Sequence, residues 1–70
     1  MDGKIEIVLI GGKLKPALAD SAGQWVTVRG IVSMILGGVE EKEVIEEMKI
    51  DAVDLAAAVK YVNLYPQVME

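Results

Sequence analysis

Seventy residues carrying no Cys and no His form one small domain that no disulfide can brace, that lacks the two main ligand types of a zinc site, and that has no thiol nucleophile. The composition is 53% hydrophobic with a net charge of −4. A chain this short buries only about 60% of the surface it exposes when unfolded, so we expect a homo-oligomer, a dimer foremost, to supply the missing burial. No stretch approaches the ~18 consecutive apolar residues of a membrane span. Met1-Asp2-Gly3-Lys4 followed by the short run Ile5–Ile10 lacks the grammar of a cleavable signal. The expectation is a soluble cytoplasmic protein with no membrane association and no cofactor.

The first element in the chain is a strand over 4–10. Its β-branched residues place Ile5, Ile7 and Leu9 on one face. Gly11-Gly12 ends it in a tight turn. Lys13-Leu14-Lys15 can return as a second strand, which Pro16 should hold to an edge or a short length. Residues 17–23 read as a loop, and Gln24-Trp25-Val26-Thr27 as extended. A first helix is predicted over 27–36, capped by Thr27, with the apolar stripe Val28, Ile31, Val32, Ile35 and Leu36. Gly37-Gly38 provides its left-handed stop. A second helix over 40–48 buries Val44, Ile45 and Met48 and carries Glu40, Glu41 and Glu43 where the helix dipole favours them.

The third helix starts from Asp51 as N-cap with Asp54 completing a weak capping box. Leu55, Val59 and Val62 form its stripe, and Ala56-Ala57-Ala58 keep it thin enough for close packing. Asn63 is expected as a left-handed cap, with Pro66 blocking continuation. The chain therefore divides into a strand or hairpin segment at 1–26, a three-helix core at 27–63 and a tail at 64–70. The predicted fold class is mainly α, a helix-turn-helix core behind a short β segment.

Charge separates along the chain. Residues 1–38 carry four cations against three anions, a net +1. Residues 39–70 carry three against eight, a net −5. Nucleic-acid affinity rests on phosphate neutralisation, so DNA contact should come from Lys13, Lys15 and Arg29. Three charges are a poor footprint unless a two-fold dimer doubles them. Trp25, Tyr61 and Tyr65 are the candidates for partner contact, with packing of the chain end an equal reading for the two tyrosines. For Trp25 the favoured reading is that it anchors the N-terminal segment onto the helices.

Chemistry is scarce. Ser21 and Ser33 lack an activating partner, and Ser33 lies off the helix stripe. The carboxylates fall on polar helix faces. Gly11-Gly12-Lys13 is followed by Leu14-Lys15-Pro16, which does not open the helix a phosphate loop requires. No residue is assigned as catalytic, cofactor-binding or metal-ligating, and an enzyme is not expected.

The helical part resembles domain-of-unknown-function family 433, small proteins with a homeodomain-like helix-turn-helix. The counterparts are Val26-Thr27-Val28, the first helix, Gly38, Lys42-Glu43-Val44-Ile45-Glu46-Glu47, Ile50-Asp51, Asp54-Leu55 and Ala57-Ala58-Val59-Lys60-Tyr61. They span about half the chain. The stretch before the first helix is degenerate at Gly23-Gln24-Trp25-Val26-Thr27-Val28, and Glu40-Glu41 replaces the usual Ser-Pro cap.

The resemblance implies an antitoxin-like or regulatory protein, with a PIN-type nuclease toxin, operator DNA, or both as partner. It places a recognition helix at the third helix, whose expected outward residues are Asp51, Asp54, Ala57 and Lys60. That set lacks the Arg, Asn and Gln that read base edges, so DNA binding by this helix should be weak. The alternative is a non-enzymatic structural or oligomerisation module with no nucleic-acid role.

Overall fold

The computed structural model describes residues 5–70. The expected strand residue Lys4 lies outside them. An antiparallel sheet of β1 (Glu6–Ile10), β2 (Lys13–Ala19) and β3 (Trp25–Thr27), in that order, precedes α1 (Val28–Leu36), α2 (Glu41–Met48) and α3 (Ala52–Leu64). A 3₁₀ turn, Pro66–Met69, follows α3.

Gly11 and Gly12 both take positive φ, 59° and 82°. This is the backbone of a type I′ hairpin turn, and it pairs Ile10 with Lys13. The second strand is longer than expected. It runs through Pro16 to Ala19, and Ala17 and Leu18 are core residues rather than loop. Proline is tolerated because β3 pairs only with Ala17, Leu18 and Ala19, so no ladder partner stands opposite Pro16 on that side. The loop after β2 is organised by Asp20, whose Oδ1 accepts from the backbone N–H of Ala22 and of Gln24, both at 2.9 Å.

Most of the helix ends are set by local hydrogen bonds. Thr27 Oγ1 accepts from Gly30 N–H at 3.0 Å and caps α1. At the other end Val39 N–H reaches the Met34 carbonyl and Gly38 N–H the Ile35 carbonyl, both at 3.0 Å, with Gly38 at φ 97°. These two bonds form a Schellman motif. The N-cap of α2, Glu40, makes no side-chain capping bond. That helix stops without glycine: Lys49 adopts the left-handed conformation and Ile50 N–H returns to the Ile45 carbonyl at 3.1 Å. Asp51 and Asp54 form a full capping box on α3.

Asn63 is not the expected left-handed cap. The helix passes through it to Leu64, and Tyr65 N–H bonds to the Tyr61 carbonyl at 2.8 Å. Pro66 then opens the 3₁₀ turn, which packs back against α1 and α3.

The core lies where β2 meets the helices. Leu18, Val28, Ile31, Val32, Val44, Ile50, Leu55 and Ala58 form one buried cluster. Ala58 is fully buried, and α3 packs more extensively on α1 than on α2. The α1 stripe holds at Val28, Ile31 and Val32 but fails at Leu36, which is 73% exposed in the last turn of its helix. The loop after β2 is tied to the helical layer by Ser21 N–H, which donates to the Lys49 carbonyl at 2.8 Å.

Candidate binding surfaces

The first surface is cationic. Lys13 and Lys15 alternate on β2, and Arg29 is the second residue of α1. The return of β2 beside the start of α1 brings all three to one cleft of about 340 Å³. Leu14, Pro16, Thr27, Gln67, Val68 and Glu70 complete its lining. The three cations, up to sixteen positions apart in the chain, thus converge at the edge of β2 that β3 leaves uncovered. Glu70 is the one carboxylate in that lining.

The second surface is acidic. Glu43, Glu46 and Glu47 line a shallow depression on α2 at helical spacing. A neighbouring cleft of about 380 Å³ has Asp20, Glu46, Asp51 and Asp54 in its walls, with Lys49 among them. Three of those carboxylates already have structural work, Asp20 in its turn and Asp51 and Asp54 in the capping box. Among the described residues no group of three or more His, Cys, Asp or Glu is placed to hold a metal ion, and no polar or charged residue is buried. No helix of the described residues is long and apolar enough to cross a membrane.

The third surface is apolar and was legible only in part. Ile7 and Leu9 share one face of β1, with Ile5 just before the strand, and the register adds Leu14 opposite Leu9 and Pro16 opposite Ile7. Leu18 lies on the same face of β2 and enters the core, and Ile5 packs against that core. Further toward the turn the face runs past the helices. Ile7 is 56% exposed, Leu9 70% and Leu14 71%. Burying an aliphatic side chain fully is worth about 1.5–3 kcal/mol, so the three, each about two-thirds exposed, together forgo about 3–6 kcal/mol.

The aromatic candidates do not act as one group. The rings of Tyr61 and Tyr65 lie 4.8 Å apart at 45°, so half-buried Tyr61 supports an exposed Tyr65 beside the end of α3. Trp25 stands on β3 opposite Ala19 and is 44% exposed. It is not the anchor expected of it. Leu18 and its cross-strand partner Val26 perform that role, because their side chains, not that of Trp25, face the helices.

The outward face of α3 also differs from expectation. Asp54 and Ala57 are half-buried, and the exposed residues in its first two turns are Ala52, Val53 and Ala56, with Lys60 beyond. No protein-family model, curated protein or solved structure matches the chain.

Proposed function

We propose that the chain is a small, non-enzymatic regulatory protein of the antitoxin-like kind, which acts by binding another protein. In this reading α2 and α3, joined through Lys49, Ile50 and Asp51, are the helix pair of a helix-turn-helix. The observation that carries the reading is the character of their outer surfaces. Glu43, Glu46 and Glu47 stand in a row on α2, and α3 presents Ala52, Val53 and Ala56. A base-reading helix needs donors and acceptors at those positions and positive charge around them. An acidic and small-residue surface suits a basic protein instead. A PIN-type nuclease toxin is the partner that the family resemblance implies.

Operator DNA is the secondary ligand, held through phosphate contacts at Lys13, Lys15 and Arg29. Co-expression with the product of the adjacent gene tests the main reading. We expect the two to copurify, and replacing Glu43, Glu46 and Glu47 together with Lys should abolish the complex. A neighbouring product that ignores the native chain overturns it. For DNA, changing Lys13, Lys15 and Arg29 to Gln should reduce the slope of log K against log salt by about 2–3. An unchanged slope removes the cleft from the account. The exposed hairpin face favours a second reading, a structural oligomerisation module without nucleic-acid contact.

A further inference from the structure

We propose that a second copy of this chain pairs with the free edge of β1, joining two three-stranded sheets into one of six across a two-fold axis. Among the described residues β1 has β2 on one side and no strand on the other. Such an edge presents a row of unpaired N–H and C=O groups. Protein edges are commonly blunted by proline, bulges or several charges, and β1 carries only Glu6. The two-residue turn closes on Ile10 and Lys13, so the backbone groups of Ile7 and Leu9 are those directed outward.

A two-fold axis perpendicular to the sheet through Val8 pairs all five residues of β1 with their counterparts. Val8 faces the partner's Val8. Ile7 and Leu9 exchange hydrogen bonds with the partner's Leu9 and Ile7.

Three features favour a second copy over an unrelated strand. The rotation keeps like faces together, so the exposed Ile7, Leu9 and Leu14 of both copies join one apolar surface. The antiparallel order lays each overhanging hairpin tip beside the base of the partner's hairpin, on the face that the partner's helices cover. On the opposite face Glu6 comes beside the partner's Ile10, whose other neighbour is the partner's Lys13. Glu6 and the partner's Lys13 thus stand on the same face two strands apart, about 10 Å between backbones, a favourable charge pairing that the two-fold axis repeats. This pairing uses none of the α2 and α3 surface assigned above to a protein partner, and it stands or falls separately.

The natural absence of cysteine makes the register directly testable. Sedimentation of the native chain should give a mass twice 7.5 kDa, and Leu9→Lys should halve it. Because Leu9 is 70% exposed, that variant should still fold, as circular dichroism will report. Val8→Cys should form a disulfide-linked dimer in mild oxidant, since a non-hydrogen-bonded antiparallel pair holds its Cα atoms about 4.5 Å apart. Ile10→Cys should not, because the two positions would lie about 14 Å apart. A native chain that is monomeric at every concentration overturns the proposal. So does a dimer that survives Leu9→Lys, or one in which Ile10→Cys links as readily as Val8→Cys.

Discussion

The hairpin and the three helices are both strongly patterned, yet their patterns meet different fates. In the helices, Val28, Ile31, Val44 and Leu55 point where the stripes say and are buried. In the hairpin, an equally regular face buries Leu18, half-buries Ile5 and leaves Ile7, Leu9 and Leu14 in solvent. Alternation defines which residues share a face. It does not say how far along that face the neighbouring layer extends. Here the helical layer covers the base of the sheet and stops short of its turn.

The sharpest way to break this contrast is to truncate one residue on each part of the same face. In the Leu9→Lys background, which removes self-association, Leu18→Ala should lower the free energy of unfolding by about 2–4 kcal/mol. Leu14→Ala in that background should change it by less than about 0.5 kcal/mol. Urea titration reads both. Equal losses would mean that the turn end of the hairpin is packed after all.

A smaller effect separates the helix starts. Asp51→Ala removes the acceptor for Asp54 N–H and should destabilise by about 1 kcal/mol. Glu40→Ala at the start of α2, where no capping bond exists, should stay within about 0.5 kcal/mol. The smallest expected change is a gain. Lys49 holds φ 57°, a conformation that costs a side-chain-bearing residue about 1 kcal/mol or more. Lys49→Gly should therefore raise the free energy of unfolding by about 0.5 kcal/mol after glycine's greater unfolded-state freedom is counted, seen as a slightly higher thermal midpoint. A fall would show that the Lys49 side chain contributes contacts of its own.

The helix boundaries, the hairpin turn and the capping box were legible because each rests on hydrogen bonds between residues a few positions apart. Thr27, Gly38 and Asp51 act on their own neighbours, whatever the rest of the chain does. Asn63 shows the limit even there, since packing of α3 and the 3₁₀ turn carries the helix past a residue suited to ending it.

For the candidate surfaces, the sequence identified Lys13, Lys15 and Arg29 as the available cations of the first half. Only the return of β2 beside α1 decided that they share a cleft. Likewise the sequence determined that Ile7, Leu9 and Leu14 are apolar and that Ile7 and Leu9 share a face. Tertiary structure decided that this face overhangs its own core while Leu18 and Ala58 fill it. The physical reason is one of range. Backbone geometry and hydrogen bonding act locally, whereas coverage depends on where distant segments come to rest.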